Sequence, residues 1–411
     1  MGDNMYNSNW GYYNGKVRNA RVKKTHEPIA ILKYDFTPES KKLKASATVL
    51  YRFGKNGYTA LDWYDAPDPR PDYYRNLPSY FFMDNTDYNR LNYSKYMWAK
   101  EQWEQDIPSI THINWDRLYA VNAMNSTADG NRSKYVIEER RTDQQDLNFA
   151  ANAKWSPVNC FTLAGGLSYK WNRTEYYKIL DDLLGGDYYV NIDQFAERDY
   201  ASSVTMYQND LDYYLKNGKA QTLKQGDKYG YDYYANVRRA EAWVSGKFSK
   251  FGLDVALAGR IGYTKYWREG LLRKGLFPGL DANGQPMTYE GKVITTYDPI
   301  TGDAITSLGK SEVKDFLTGA AKLNVSYVIP GGHRVYANAA FIADAPNFNQ
   351  AFISPRTRNS IVPNLKTNKT LTADLNYAYS NSGYDVRVTG YYTAIKDQSK
   401  VMSFYDDSQN S

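Results

Sequence analysis

Apolar and polar residues alternate one by one along several long segments of the chain. In the segment LDVALAGRIGYT at 253–264, Leu, Val, Ile and Tyr occupy one set of alternate positions, and Asp, Arg and Thr occupy the other. Period-two alternation places successive side chains on opposite faces of a β-strand. The same pattern predicts ten strands, at 27–36, 42–53, 144–155, 160–172, 233–248, 252–267, 316–329, 333–343, 368–380 and 384–395.

Short and long connections alternate between these predicted strands. Tight turns rich in Pro, Gly, Asn and Ser are predicted at 37–41, 156–159, 249–252, 330–332 and 381–383. The long connections lie at 54–143, 173–232, 268–315 and 344–367. Structureless loops of this length are uncommon in a compact domain. Outer-membrane barrels, however, combine short periplasmic turns with long extracellular loops. The asymmetry therefore predicts an all-β fold, a transmembrane antiparallel β-barrel with long extracellular loops.

Aromatic residues cluster at both ends of the predicted strands, as they do at the two interfaces of a bilayer. Beside the short turns lie Trp155, Phe161, Phe248, Phe251, Tyr327, Tyr379 and Tyr384. At the opposite ends lie Tyr51, Phe53, Tyr169, Trp171, Tyr263, Tyr266, Trp267, Phe341 and Tyr392. The second face of each strand mixes small residues with Lys, Asp and Arg, as a wet lumen requires. The alternative is a soluble β-sandwich or jelly roll, in which the apolar face would be a packed core.

Composition narrows the choice of function. The 411 residues include 40 Tyr, and 51 basic against 45 acidic residues give a formal net charge of +6. That charge is dispersed, which disfavours nucleic-acid binding. Cys160 is the sole cysteine, so the chain can form neither an internal disulfide nor a cysteine-based metal cage. No run approaches the 18 or so apolar residues that a transmembrane helix needs.

The predicted topology suggests a piece of a larger barrel. If every short turn is periplasmic, the segment before residue 27 and the segment after residue 396 both lie outside the cell. We therefore expect about ten strands of a larger barrel, with two unpaired edges that lipid could not satisfy. The first residues resemble no signal peptide, since they lack a basic region followed by an apolar one.

Two stretches resemble the TonB-dependent outer-membrane receptors, in the large nutrient-importing branch of gut and oral Gram-negative bacteria. They are LDWYDAPDPRPDYYRNLPSYF at 61–81 and FNQAFISPRTRNSIVPNLKTNKTLTADLNYAYS at 348–380. In that family, Arg-Asn followed by Pro-Asn-Leu and a Lys leads into a long strand late in the barrel. The matching residues are Arg358, Asn359, Pro363, Asn364, Leu365 and Lys369.

The resemblance implies a barrel of about twenty-two strands filled by an N-terminal plug. It also implies nutrient uptake across the cell outer membrane, energised by an inner-membrane coupling complex, with a surface lipoprotein as a possible partner. Residues 1–411 carry no recognisable plug and no energy-coupling box, so we expect all of them to belong to a partial barrel domain. The expected partners are outer-membrane lipid and, through a missing N-terminal part, the coupling complex. The imported nutrient would be a glycan, a peptide or a metal chelate.

Aromatic residues in the long loops are the candidate substrate-binding residues. Rings with a polar edge stack on sugars or grip peptides, and Tyr-rich loops commonly form recognition surfaces. The candidates are Trp63, Tyr64, Tyr73, Tyr74, Tyr188 and Tyr189. The competing interpretation is that these rings pack the loops against one another over the barrel mouth.

Catalytic and metal sites are weakly indicated. His26, His112 and His333 lie in different regions, which disfavours a histidine metal site or a catalytic triad. An omptin-like barrel protease would need an acidic residue beside a rim histidine, and His112 alone could serve. Loop carboxylates lack EF-hand spacing, so solvated carboxylates are favoured over calcium ligands; they are Asp62, Asp65, Asp68, Asp72, Asp181, Asp182, Asp187 and Asp193.

No cofactor motif is present, and an enzyme is not expected. The segment YVIEERRTDQQD at 135–146 is predicted to extend a strand beyond the membrane with both faces wet. A passive porin or adhesin-like barrel, and a soluble carbohydrate-binding β-protein, are the functional alternatives.

Overall fold

Ten long β-strands form one antiparallel sheet in this computed structural model of the chain, which describes residues 6–82 and 93–400. In chain order they are β1 (Ile29–Phe36), β2 (Leu43–Trp63), β3 (Tyr135–Val158), β4 (Phe161–Asp182), β5 (Lys228–Lys250), β6 (Leu253–Gly270), β7 (Lys314–Ile329), β8 (His333–Asp344), β9 (Asn368–Ser380) and β10 (Asp385–Lys396). All ten predicted strands are therefore confirmed, and so is the all-β fold class.

The sheet is a meander in which each long strand pairs with the next one along the chain. The outermost long strands are β1 and β10, and within the described residues they do not pair with each other, so the sheet is open. The short strand Lys23–His26 continues the β1 edge by pairing with the upper part of β2. Within the described residues, no helix is long and apolar enough to cross a membrane.

Tight turns lie at one end of the sheet, as predicted, although the turn predicted at 156–159 lies at 159–160 because β3 continues to Val158. Lys250 pairs with Leu253 across a two-residue turn at Phe251 and Gly252, whose φ angles are 55° and 76°. Two consecutive positive φ values characterise the type I′ turn, whose twist matches that of the flanking strands. A residue without a Cβ adopts such a conformation at little cost, which explains the glycine at position 252.

Nothing among the described residues packs against one face of the lower sheet. Leucine and isoleucine side chains on that face expose 58% to 69% of their surface: Leu167, Leu257, Ile261, Leu317 and Leu375. They continue from strand to strand, because Leu257 pairs with Gly246 on β5 and with Leu323 on β7. We call this surface the apolar belt. A soluble protein would ordinarily cover so large an apolar patch.

The opposite face of the same strands is polar and hydrogen-bonded. Asn324 Nδ2 donates to Asn338 Oδ1 at 2.6 Å, and Asn338 Nδ2 donates to Asp374 Oδ1 at 2.7 Å, across three neighbouring strands. Nearby, Arg260 binds Glu241 at 3.0 Å and Asp344 at 2.6 Å. The predicted division into an apolar face and a polar face is therefore confirmed.

Four strands run well past their predicted ends. The strand β3 has 24 residues, which at about 3.4 Å each reach roughly 80 Å, whereas the apolar band of an outer-membrane barrel is about 25 Å tall. The upper parts of β2, β3, β4 and β5 therefore rise above the apolar belt, and the predicted ends at 53, 144, 172 and 233 were too short. Short helices lie in the loops between the strands. They are α1 (Pro78–Phe82), α2 (Tyr93–Glu104), α3 (Pro108–Thr111), α4 (Trp115–Met124), α5 (Gln194–Asp199), α6 (Leu211–Asn217) and α7 (Phe348–Ala351), with a 3₁₀ turn at Tyr74–Asn76.

Small two-stranded pairings complete the loop layer. Their members are Trp10–Tyr13 with Lys16–Asn19, Ser126–Thr127 with Gly130–Asn131, Tyr189–Val190 with Thr222–Leu223, and Thr288–Tyr289 with Lys292–Val293, while Gly309–Lys310 pairs with the end of β6. The described parts of the long connections are thus folded rather than structureless.

The packed core lies in this loop layer. Val136 and Ile137 are consecutive residues of β3, and each is buried in a different cluster on opposite sides of the strand. Ile137 packs with Trp115 of α4, whereas Val136 packs with Leu180 and Tyr229. The prediction that both faces of 135–146 are wet is therefore wrong for its first part, because loops cover both faces there.

One predicted girdle residue faces the other way. Tyr266 is 1% exposed and packs with Phe316, Ala351 and Phe352 beneath the loop that contains α7. Its neighbour Tyr263, three residues earlier, is 45% exposed on the apolar side, as predicted. Since alternate residues face opposite sides of a strand, the assignment of Tyr266 to the aromatic girdle was wrong.

The apolar belt predicts that adjacent positions of β6 face lipid and water in turn. Spin labels would be attached to Leu257→Cys and Ala258→Cys in a Cys160→Ser background, in the protein as the native bacterium produces it, reconstituted in liposomes. We expect oxygen, which concentrates in hydrocarbon, to relax the label at 257, and a water-soluble nickel chelate to relax the label at 258. The same inversion should appear at Leu323 and Asn324 on β7, because alternation persists along every strand. Protection of 257 and 323 from both reagents would instead indicate a packed soluble core.

Candidate functional site

A cleft of 230 Å³ opens beside the upper ends of the strands, within the loop layer. Its walls come from the ends of β2, β3, β4 and β5 and from the loops that follow β4, β6 and α7. The lining residues are Asp62, Trp63, Tyr64, Arg140, Lys178, Tyr189, Ile192, Asp193, Gln194, Phe195, Asn209, Tyr229, Gly230, Tyr231, Lys274, Arg356 and Thr357. Asp62, Arg140 and Lys178 stand on the strand face that carries the polar network lower down, so the cleft continues the polar side of the sheet.

A buried ionic cluster forms the floor of the cleft. The ammonium of Lys178 lies 2.8 Å from Asp62 Oδ2 and 2.9 Å from Glu138 Oε2. Tyr229 OH donates to Asp62 Oδ2 at 2.9 Å, and Arg140 Nε donates to Glu138 Oε1. The cluster thus ties together β2, β3, β4 and β5, and Glu138 within it is fully buried.

Strand register brings these charges together. Arg140 on β3 pairs with Lys178 on β4, and Lys178 pairs in turn with Tyr229 on β5. The β5 strand then bulges between Tyr229 and Asp232, with Gly230 at φ 71°. A Cβ at residue 230 would lie 2.5 Å from Lys178 Cε, so glycine permits this close approach.

Burial and attraction act in opposite directions on the cluster. Burial alone would lower the pKa of Lys178, but attraction to Asp62 and Glu138 outweighs it and raises that pKa. Burial alone would raise the pKa of Asp62, but the Lys178 ammonium outweighs it and lowers that pKa. The pKa of Tyr229 is raised well above its usual value, first by burial and then by the charges of Asp62 and Glu138. The cluster is therefore a paired, charged network with a neutral phenol.

A second buried lysine in the cleft has a different environment. Lys274 is 7% exposed, and its ammonium donates to Asn209 Oδ1 at 2.6 Å. Burial lowers the pKa of Lys274 to about 8; attraction to Asp193 opposes this shift, while repulsion from Lys178 and Arg268 adds to it. Lys274 therefore titrates close to neutral pH, unlike Lys178.

The structure brings three of the six sequence-predicted aromatic residues to this cleft. They are Trp63, Tyr64 and Tyr189. Tyr64 OH donates to Glu197 Oε1 at 2.8 Å, whereas the Tyr189 ring packs against Tyr229 and is 4% exposed. Tyr189 thus belongs to the packed layer as well as to the cleft wall.

The other three aromatic candidates lie elsewhere. Tyr188 is 7% exposed, and its hydroxyl hydrogen-bonds Thr127 Oγ1 at 2.9 Å. Tyr73 and Tyr74 contact each other edge to face near the 3₁₀ turn, with ring centroids 4.9 Å apart. Their role in substrate binding stays a prediction, but they do not line the cleft that contains the buried charges.

His112 and the loop carboxylates contact other groups of the protein. The His112 ring packs on Trp10 with centroids 4.0 Å apart, and His112 Nδ1 lies 3.9 Å from Asp106 Oδ1, too far for a hydrogen bond. Loop carboxylates pair with cations, as Asp65 does with Arg132 and as Asp182 does with Arg18. Across residues 6–82 and 93–400, no group of His, Cys, Asp and Glu could hold a metal ion.

Comparison with known proteins yields structural likenesses. No protein-family model matches the chain, and no curated protein matches its sequence. Its structure is similar to the copper transporter OprC, with a TM-score of 0.47, 10% identity, and coverage of 93% of this chain and 41% of that one. It is also similar to the ferric-catecholate import receptor Fiu from E. coli K12, open form (TM-score 0.45, 9% identity, 92% and 42% covered). A third likeness is to the ferric citrate transporter FecA, unliganded (TM-score 0.43, 9% identity, 90% and 34% covered).

This chain therefore spans about two fifths of the length of OprC and Fiu and about one third of FecA. At these TM-scores and identities the likenesses decide neither the activity nor the fold. The fold follows from the chain's own strand pairing, and the site follows from its own residues.

Sequence reasoning missed the basic residues of the cleft. Lys178 and Lys274 lie in segments without a recognisable motif, and their partners come from other strands and loops. The one available signal was the segment at 135–146, where Glu138 follows two apolar residues and precedes two arginines within three positions. Charges beside consecutive apolar residues on a strand indicate a buried ionic contact.

Removing the Lys178 ammonium should destabilise the strand extensions. In Lys178→Met, two carboxylates lose their shared cation, and breaking such a buried pair costs about 3–5 kcal/mol. The measurement is the free energy of unfolding by denaturant in detergent, together with the rate of proteolysis in the loop layer. Lys100→Met is the matched control, since Lys100 pairs with Glu104 on the exposed side of α2, an arrangement worth about 0.3–0.5 kcal/mol. Equal stability of the two variants would mean that Asp62 and Glu138 are solvated rather than buried.

The pKa of Lys274 predicts an unusual labelling profile. Its folded pKa of about 8 lies below the ordinary 10.5, so the reactive neutral amine accumulates as pH rises through 8. We expect its reductive methylation rate to rise steeply between about pH 7 and 9 and then level off, as read by peptide mass spectrometry. The exposed Lys216 of α6, read in the same digest, is the internal control for the methylating reagent. A rate for Lys274 that keeps rising above pH 9 without levelling off would contradict a buried ammonium that forms no ion pair.

Proposed function

We propose that this chain forms the barrel wall and extracellular loop layer of an outer-membrane receptor that takes up a nutrient by TonB-dependent transport. The observation that carries this proposal is the apolar belt, uncovered on one face of a sheet whose other face is a polar hydrogen-bonded network. Such an arrangement is stable where hydrocarbon contacts the first face and water contacts the second.

Burial along one face of β3 differs between the loop layer and the level of the apolar belt. In β3, residues 137 and 149 share one face of the strand. Ile137, in the upper extension, is 4% exposed because loops cover it, whereas Phe149, in the lower part, is 41% exposed. The protein thus covers this face in the loop layer and leaves it bare below, which supports a bilayer around the lower part.

The polar face and the cleft support uptake of a solute. A lumen lined by Asn324, Arg260 and Asp344 provides a hydrated path, and the cleft opens on that side above the belt. The resemblance to TonB-dependent receptors supplies the energised mechanism, the inner-membrane coupling complex and the surface lipoprotein, and these parts of the proposal depend on it. A glycan, a peptide or a metal chelate is the nutrient class.

Uptake by the native bacterium tests the proposal. Spent growth medium would be compared by mass spectrometry for the wild type, a strain lacking the gene, and the wild type treated with a protonophore. We expect at least one solute to be depleted by untreated wild-type cells alone, because both the receptor and its energy source are needed. Complementation with the wild-type gene is the control.

The alternatives give different outcomes in the same experiment. Depletion that persists under the protonophore would indicate a passive porin. Absence of the chain from the outer-membrane fraction would indicate a soluble β-protein. Identical media from the wild-type and deletion strains, with the chain in the outer membrane, would favour an adhesin-like barrel.

A further inference from the structure

The two buried lysines of the cleft differ in how their charge is neutralised. Lys178 contacts two carboxylates and the ring of Tyr229, with its ammonium 4.1 Å from the ring centroid. Lys274 has one neutral acceptor, Asn209 Oδ1, and it forms no ion pair with any residue in 6–82 or 93–400. An ammonium carries three donors, and a buried cation is costly unless an anion or several acceptors surround it. The Lys274 ammonium therefore has unused donor capacity in a lining that faces the cleft.

The nearest acidic group does not fill that capacity. Asp193 attracts Lys274 at longer range, but Asp193 Oδ1 already accepts from the backbone N–H groups of Phe195 and Ala196 at the start of α5. This carboxylate is thus held by its own loop.

Two arginines add positive charge near Lys274. Arg268 is 2% exposed, and its guanidinium donates to Pro355 O, Ser307 O and Asn359 Oδ1, all neutral oxygens. Arg356 lines the cleft with its guanidinium 5.2 Å from the centroid of the Tyr231 ring, and within the described part of the chain it pairs with no carboxylate. Within the described residues, Lys274, Arg268 and Arg356 therefore form no ion pair with a carboxylate.

We propose that Lys274 and Arg356 bind an anionic group, a carboxylate or a phosphate, at one end of the imported ligand. This inference deepens the proposed function and rests on it in one respect, namely that the ligand is imported. A lysine ammonium supplies a compact positive charge, and an arginine guanidinium supplies two parallel N–H donors. Together they suit the oxygens of a carboxylate or a phosphate. The cleft of 230 Å³ is smaller than the roughly 300–1,000 Å³ typical of a pocket for a drug-sized ligand, so it fits an end group rather than a whole ligand.

Protection of Lys274 from methylation tests the site directly. The full chain in detergent micelles would be methylated at pH 8, at constant ionic strength set by chloride, with each probe in turn. The probes are methyl glucuronide against methyl glucoside, and glucose 6-phosphate against glucose, with acetate and inorganic phosphate as free anions. We expect a charged probe to slow methylation of Lys274 in a saturable manner, while its neutral partner leaves the rate unchanged and Lys216 is unaffected by either.

Matched variants locate the second contact. Loss of one charge-assisted hydrogen bond typically weakens binding by about tenfold, so Arg356→Gln should raise the half-protecting concentration by about that factor. Arg21→Gln is the control, because Arg21 is exposed and lies outside the cleft. Arg356 is itself exposed, so its substitution leaves the buried packing intact.

The outcomes distinguish a carboxylate ligand from a phosphate ligand, and they test the anion site separately from the proposed receptor function. Protection by glucuronide and acetate supports a carboxylate ligand, and protection by the phosphates alone supports a phosphate ligand. Equal protection by charged and neutral sugars, or none by any probe, overturns the anion site. Because the assay needs no transport, protection of Lys274 without solute uptake in the bacterium would preserve the anion site and reject the receptor. Solute uptake without protection of Lys274 would support the receptor and reject the anion site.

Discussion

The bare apolar belt is the constraint on which the rest of the structure depends. A sheet that leaves leucines such as Leu257 and Leu317 mostly exposed cannot be stable with water on that side, because each would forgo the roughly 1.5–3 kcal/mol of burying a large apolar side chain. Hydrocarbon removes that cost without a second layer of protein. The belt also confines irregular backbone to the regions outside the bilayer, since loops cannot satisfy their polar groups in lipid. The loop layer and the tight turns therefore occupy opposite ends of the strands.

The cleft depends on the strands that extend past the belt. Above the bilayer both faces of β3 are covered by loops, so Val136 and Ile137 are buried back to back and Glu138 is fully buried next to them. A carboxylate there is stable because Lys178 and Arg140 neutralise it, and these cations also fix the register of four neighbouring strands. The ionic cluster thus holds the floor rigid, while Lys274 and Arg356 on the loops supply charge that the protein does not neutralise.

Alternation predicted the lower sheet well, because each strand there has one apolar and one polar environment. The strands β8 and β9 end within one residue of their predicted bounds. The prediction failed where the environment changed: the run from Tyr135 to Glu139 is buried on both sides, so period two disappears although the strand continues. Tyr266 was misplaced because aromatic character alone does not specify a face. The cleft was only partly predictable, since Trp63 and Tyr64 carry a compositional signal, whereas the position of Lys274 depends on how the loop after β6 folds back to Asn209.

The meander has a consequence for how the chain assembles. Every long strand pairs with its neighbour in sequence, and five of the nine pairings close over tight turns such as Phe251 and Gly252. Such local closures lose little chain entropy and form quickly, whereas the four wide connections lose more. Those wide connections carry their own hydrophobic clusters, which join the hairpins on the outer side. The two-stranded hairpin is therefore the most local unit of the sheet, and the order of the strands along the chain is also their order across the sheet.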